Sequence, residues 1–196
     1  MAKKIYILLG HPDKETFSGH LADLYAEAAQ AAGHEVRRTN VGDLSFDPIL
    51  HKGYKVIQEL EPDLKQVQED MKWADHFVLI YPIWWSAMPA LLKGMWDRMF
   101  IPGFAFRFHK RESWHSIPGW DKLLKGKTAR VIALSKSQPW QIRLLFGDFT
   151  NEISRATLGF AGYRVSRTHI GNAEKLSDTK RMNWERYIGV LGRRGA

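Results

Sequence analysis

The chain has 196 residues, 44% hydrophobic and 26% charged, with no cysteine and a net charge of +8. That length fits a single domain, 1–196, and a domain of this size buries about 70% of its unfolded surface, so no disulfide or metal staple is needed. The absence of cysteine excludes disulfide scaffolds, thiolate zinc sites, iron–sulfur clusters and cysteine nucleophiles. No apolar run approaches the ~20 residues that cross a bilayer, and the N-terminal apolar stretch is strand-sized and without a signal cleavage site, so a cytoplasmic protein is expected.

Ile5–Leu9 is a continuous apolar run ending at Gly10, the pattern of a strand buried on both faces in a parallel sheet. Phe17–Ala32 follows with Leu21, Leu24, Tyr25 and Ala28 at helical spacing, and Gly33 stands beyond it as a stop. Glu35–Asn40 reads as a second strand, and Asp43–Pro62 as irregular, punctuated by Pro48, Gly53 and Pro62. A helix over Leu64–Trp73 delivers the chain to a third strand, His76–Tyr81. Pro82–Pro89 is a loop, and Ala90–Phe100 a helix with Leu91, Leu92, Met95, Trp96 and Met99 on one broad face. Ile101–Gly119 is rich in Gly, Pro and aromatics and reads as irregular. A fourth strand over Lys127–Ser135, a mainly helical Gln141–Gly162, a fifth strand over Tyr163–Ile170 and an amphipathic helix over Asp178–Leu191 complete the chain.

This alternation predicts an α/β doubly wound parallel sheet with helices on both faces. Ligands bind such sheets beyond the carboxyl ends of the strands, where the strand order reverses. Three segments therefore matter: Gly10–Gly19, Tyr81–Pro89 and Leu134–Pro139. The first reads Gly-His-Pro-Asp-Lys-Glu-Thr-Phe-Ser and has neither the dinucleotide-binding glycine pattern nor a P-loop ending. It offers His11, the hydroxyls of Thr16 and Ser18, and the backbone N–H groups of a helix start, which attract anions; Thr16 as a plain helix cap accounts for the same residues. The second holds adjacent Trp84 and Trp85 between prolines, an aromatic platform for a flat ligand or, alternatively, core packing.

The strand-His-Pro start with Thr-Phe-Ser, the run Tyr81-Pro-Ile-Trp-Trp-Ser-Ala-Met-Pro-Ala-Leu-Leu-Lys-Gly-Met-Trp-Asp-Arg-Met-Phe100, and Ile101-Pro-Gly-Phe-Ala-Phe-Arg-Phe108 resemble the NAD(P)H:quinone oxidoreductase family. The family includes the ancillary quinone reductases of bacterial potassium-efflux systems, and the resemblance covers nearly the whole chain. It implies a flavodoxin-like five-stranded sheet in the order 2-1-3-4-5. The implied cofactor is FMN, with FAD as the alternative, and NAD(P)H is the implied co-substrate.

It also implies a role for each matching position. The flavin phosphate falls to His11, Thr16, Phe17 and Ser18; backbone donors at the ring edge fall to Pro82, Ile83, Trp84, Trp85 and Ser86. Phe106 and Phe108 correspond to an aromatic pair that reaches across a dimer over the partner's flavin. A homodimer, a quinone-like substrate and a membrane transporter as partner follow from the same resemblance.

Two departures stand out. Where the family carries Thr-Thr-Gly-Gly, this chain has Ser135, Lys136, Ser137 and Gln138, whose side chains hinder close backbone approach. The positions of the family's Tyr and His are occupied by Trp140 and Phe146, neither of which transfers a proton. Lys136 is the candidate to stabilise the negative charge of the reduced flavin; a solvent-facing Lys136 is the alternative.

No H-E-x-x-H or related spacing marks a metal site, and no nucleic-acid motif accompanies the scattered positive charge. Ser135 has no evident His–Asp partners in its sequence context. Asp97 and Arg98 read as surface or interface charges. Trp114–Trp120 reads either as a lid over a dimer cleft or as a loop packed on its own subunit. The expected activity is two-electron, ping-pong transfer from NAD(P)H to a quinone or similar electrophile. Two alternatives are kept: an ancillary subunit acting through protein interaction, and a flavodoxin-type electron carrier.

Overall fold

In the computed structural model, which describes residues 1–109 and 119–196, alternate residues of each central strand enter opposite hydrophobic clusters. On β1 (Lys4–Leu9), Tyr6 and Leu8 face one way and Ile5 and Ile7 the other. On β3 (His76–Pro82), Phe77, Leu79 and Tyr81 oppose Val78 and Ile80 in the same manner. This period of two is what a strand covered on both faces requires.

The first face is covered by α2 (Pro62–Trp73), α3 (Ala90–Met99) and a π-helical stretch, Glu152–Gly159. The second is covered by α1 (Phe17–Ala31) and α5 (Asp178–Arg194). Each fully buried Leu, Ile or Phe contributes about 1.5–3 kcal/mol relative to exposure.

The sheet comprises five strands, all parallel, in the order β2 (Glu35–Asn40), β1, β3, β6 (Thr128–Leu134), β7 (Arg164–Ile170). With the two intervening short strands set aside, this is the expected order 2-1-3-4-5. It puts the reversal between β1 and β3, so the loops after β1, β3 and β6 share one edge. The outer strand β7 exposes Arg164, Ser166 and Arg167, and its two arginine charges discourage edge-to-edge pairing.

Three expectations need correction. Part of Ile101–Gly119 is regular: β4 (Phe106–Phe108) pairs antiparallel with β5 (Trp120–Lys122). Three residues are too few for an alternation to be read. Gln141–Gly162 divides in two, with α4 (Pro139–Phe146) ending at Gly147, whose φ is +84°. The π-helical stretch follows, and there the Thr157 hydroxyl donates to Glu152 O at 2.8 Å, a bond spanning five residues. Finally, α5 runs on to Arg194, three residues beyond the expected Leu191. The lid expectation for Trp114–Trp120 falls largely on 110–118, outside the described residues.

Candidate functional site

The first loop is shaped by side chains that accept from its own main chain. Asp13 N–H donates to His11 Nδ1 at 2.9 Å, and Glu15 N–H to Asp13 Oδ1 at 2.8 Å. Thr16 caps α1, its hydroxyl oxygen accepting from Gly19 N–H at 3.3 Å. A Cβ at Gly19 would lie 1.9 Å from Lys14 O, so only glycine lets the loop close this tightly. Among the described residues the N–H groups of Thr16, Phe17 and Ser18 have no partner within the chain. Three successive free donors at a positive helix end form a cradle for an anion. Ser18 is buried beneath it, and the Arg181 guanidinium lies 4.8 Å from the Phe17 ring centroid.

The loop after β3 turns within four residues. Trp84 N–H donates to Ala87 O at 2.9 Å and Ala87 N–H returns to Trp84 O at 3.0 Å. The two central residues, Trp85 and Ser86, have φ of +50° and +61°. Positive φ without glycine stores strain, which persists where surrounding structure enforces it. Ile83 N–H is also engaged, donating to Leu134 O at 2.7 Å. Of the expected ring-edge donors, Ile83 and Trp84 are thus committed to the fold; among the described residues the N–H groups of Trp85 and Ser86 have no chain partner. Trp85 is fully exposed, and the Trp84 ring meets His11 edge-on with centroids 5.4 Å apart. The first two loops therefore touch.

The third loop, after β6, is held by side chains. Ser135 is buried, its hydroxyl donating to Ser137 O at 2.7 Å. Its oxygen then accepts from His169 Nε2 at 2.9 Å, which places the imidazole proton on Nε2. Burial pulls His169 down to about 4, so it is neutral at pH 7. The sequence offered no partner for Ser135. The partner comes from β7, where Ala133 is opposite His169 and Leu134 opposite Ile170. That register is a property of the folded sheet, and no local motif announces it.

The Lys136 ammonium stands in solvent 3.6 Å from Glu174, so its charge is partly compensated on the surface. Gln138 caps α4 through a reciprocal pair of hydrogen bonds with Gln141. No residue of α4 is buried: Trp140, Leu144, Leu145 and Phe146 are all exposed. Trp140 borders a cavity of about 350 Å³ with His169, Arg143, Arg167 and Asp148. Burial pushes the Asp148 carboxyl up, but hydrogen bonds from Thr150 and Arg167 outweigh it and bring the group to about 2.

Phe106 and Phe108 sit elsewhere. They meet edge-to-face at 5.0 Å and line an apolar cavity of about 800 Å³ with Met88 and Phe160. None of the residues 10–18 or 135–138 borders this cavity. Arg98 also corrects an expectation, because its side chain is wholly buried, paired with Glu61 at 3.0 Å. Arginine buries its charge only when it is paired, and here both terminal nitrogens are supplied by residues far away in sequence, while Nε has no partner among the described residues.

A parallel five-stranded sheet in this order, with three converging loops at the reversal point, defines the flavodoxin-like class. The chain belongs to the family described as flavodoxin-like fold, which it matches over residues 3–187. It is 25% identical over 202 residues to a ribosyldihydronicotinamide dehydrogenase [quinone] of Pongo abelii, covering 89% of this chain and 84% of that protein. An NAD(P)H:quinone oxidoreductase from Methanothermobacter marburgensis shares the fold with a TM-score of 0.79 and 21% identity, each chain covered in full. An FMN-dependent NADH-azoreductase from Bacillus anthracis, solved with FMN, also shares it, with a TM-score of 0.69 and 20% identity over the whole of both chains. No helix among the described residues is long and apolar enough to cross a membrane.

Proposed function

We propose that the chain is a flavin-dependent NAD(P)H oxidoreductase that passes two electrons to a quinone or similar electrophile by a ping-pong sequence. One observation carries the reading: free N–H donors of the first loop, an aromatic turn touching that loop and a third loop ordered by Ser135 lie on one edge of a flavodoxin-like sheet. The names of the relatives, a quinone dehydrogenase and a quinone oxidoreductase, favour the same class.

The residues fit a flavin mononucleotide. The N–H groups of Thr16, Phe17 and Ser18 would hold its phosphate, with His11 buttressing the loop. Trp84 and Trp85 would present an apolar surface to the ring, and the N–H groups of Trp85 and Ser86 would meet its polar edge. A bound flavin supplies acceptance of hydride from NAD(P)H and its delivery to the acceptor. Neutral His169, acting through Ser135, fixes the third loop so that its backbone need not reorganise when charge develops nearby. FMN is favoured by the FMN-bound azoreductase of the same fold, with FAD as the alternative.

A homodimer completes the site in this reading. The exposed apolar face of α4 and the remote Phe106–Phe108 pair both call for a second copy. Phe106 and Phe108 then close over the partner's flavin. The same exposed helix favours the second reading, an ancillary subunit docking on a membrane transporter, since Trp140 and Phe146 transfer no proton.

The test is steady-state oxidation of NADPH and NADH by the FMN-loaded protein with menadione as acceptor. Parallel double-reciprocal lines at varied acceptor are expected. Failure to retain either flavin overturns the cofactor; a bound flavin with no NAD(P)H oxidation favours the ancillary reading.

A further inference from the structure

Between Gly42 and Glu61 the chain makes a long excursion in which no residue is buried. Its regular structure is the end of one short 3₁₀ turn, Val41–Asp43, and a second, Gly53–Lys55, so it has no core of its own. Its apolar residues Leu50, Tyr54, Val56 and Ile57 nonetheless form one wall of the 800 Å³ cavity, facing Phe106 and Phe108. A wall without a core needs an external support, and the hydrogen bonds identify it.

The Arg98 guanidinium, on α3, reaches both ends of the excursion at once. One nitrogen donates to Asp47 O and to Glu61 Oε1 at 3.1 Å. The other donates to Glu59 O at 2.7 Å and to Glu61 Oε2 at 3.0 Å. Glu61 Oε1 in turn accepts from Asp47 N–H at 3.2 Å, so both ends and the carboxylate form one closed set. Gly94, one turn earlier on α3, lets Pro48 pack directly on the helix: a Cβ there would lie 2.5 Å from Pro48 O. The tip is held by weaker links, such as the Tyr54 hydroxyl on Asp97 O at 3.4 Å.

We propose that Arg98 is the positioning residue of the acceptor cleft. It pins Pro48–Gln58 as a fixed wall, and so sets the width of a slot for a planar, apolar acceptor of fused-ring size. This rests on the proposed function, in which Phe106 and Phe108 close over the partner's flavin, so that the acceptor lies between that pair and the wall facing it. Arg98 acts through the excursion: its side chain is fully buried behind the wall. Only a planar fork with five donors spans two carbonyls and a carboxylate together; a lysine ammonium keeps the charge and loses the span.

The test compares FMN-loaded wild type with Arg98→Lys and with the milder Glu61→Gln, which keeps the acceptor for Asp47 N–H. Menadione binding is read from quenching of tryptophan fluorescence, and turnover with NADPH from KM and kcat, with ferricyanide as a small hydrophilic control acceptor. Amide hydrogen exchange is followed over 48–58 and over β1 and β3. For Arg98→Lys we expect menadione Kd and KM to rise about tenfold, about threefold for Glu61→Gln, with ferricyanide KM and menadione kcat within about twofold. Exchange should quicken over 48–58 and stay unchanged in β1 and β3.

Faster exchange throughout the chain would mean that Arg98 only supports the fold. Faster exchange over 48–58 with unchanged menadione Kd would also overturn the inference. Wild-type protein that binds menadione but oxidises no NAD(P)H would sink the oxidoreductase reading alone, because the Kd and exchange comparisons need no turnover.

Discussion

The loop after β1 and the segment from Ser135 to Asp148 lie on the same edge of the sheet and are built by different means. The first is held locally, by His11, Asp13 and Thr16 side chains that accept from N–H groups two or three residues on and by a glycine pressed on a carbonyl, which leaves three N–H donors free. The second is shaped by side chains, with Ser135 on His169, Gln138 on Gln141 and Asp148 on Arg143 and Arg167. Bonds that close within a few residues do not depend on the rest of the chain, so the first loop keeps its form while distant sequence drifts. A side-chain scaffold can be rebuilt residue by residue. The resemblance puts its departures, Ser135–Gln138, Trp140 and Phe146, in this second region.

The largest effect separating the two should come from Gly19→Ala. With 1.9 Å between the new Cβ and Lys14 O, the first loop must open, at a cost of about 3 kcal/mol in stability and with loss of flavin retention. Chemical denaturation and the flavin content of the purified protein measure both. In the second region His169→Asn leaves the first loop untouched; it is expected to keep the flavin and slow turnover about tenfold by loosening the Ser135 loop.

Acid should act through two histidines that burial keeps neutral, one in the sheet and one beneath the second region. His76, buried on β3 with Nδ1 2.8 Å from the Thr128 hydroxyl, is pulled to about 3 by burial, aided by the nearby charges of Lys3 and Arg130. Both His76 and His169 are neutral in the fold and take up protons near pH 6.5 once unfolded. The unfolded chain then binds more protons, so the stability is present above pH 6.5 and is lost as pH falls toward 4 and then 3. Denaturation midpoints from pH 7 to 4 should fall in wild type and fall less steeply in His76→Gln, where His169 still contributes; an equal slope in the variant would remove His76 from the account.

Thr16→Ala should cost about 1 kcal/mol, the usual worth of an N-cap, and weaken FMN binding several-fold. The smallest effect on the isolated chain belongs to Leu144→Ser with Leu145→Ser on α4. Both residues are exposed, so monomer stability should move by less than about 0.5 kcal/mol, while sedimentation should show dissociation of the dimer. An unchanged dimer would remove α4 from the interface.

The sheet was legible because each central strand is a short apolar run closed by Gly, Pro or a polar turn, and because helical spacing lies between them. Glu35–Asn40 and the start of α1 at Phe17 stand where the sequence put them. The first loop was legible too, since its capping residue and following apolar period are local signals. What escaped notice depends on contacts distant in sequence. His169 meets Ser135 only through the register of β6 and β7. Arg98 looks like any charge on a helix until Asp47, Glu59 and Glu61 fold back around it. The commitment of the Ile83 and Trp84 donors likewise becomes visible only when Leu134 and Ala87 are in place.

The central claim is that the three loops hold a flavin that NAD(P)H reduces and a quinone reoxidises. Anaerobic rapid mixing of the FMN-loaded protein with NADPH, then NADH, followed by menadione, tests it directly at the visible flavin band. The account predicts bleaching by a pyridine nucleotide and full recovery of the band on adding menadione. A flavin that stays oxidised in the presence of both nucleotides would contradict it.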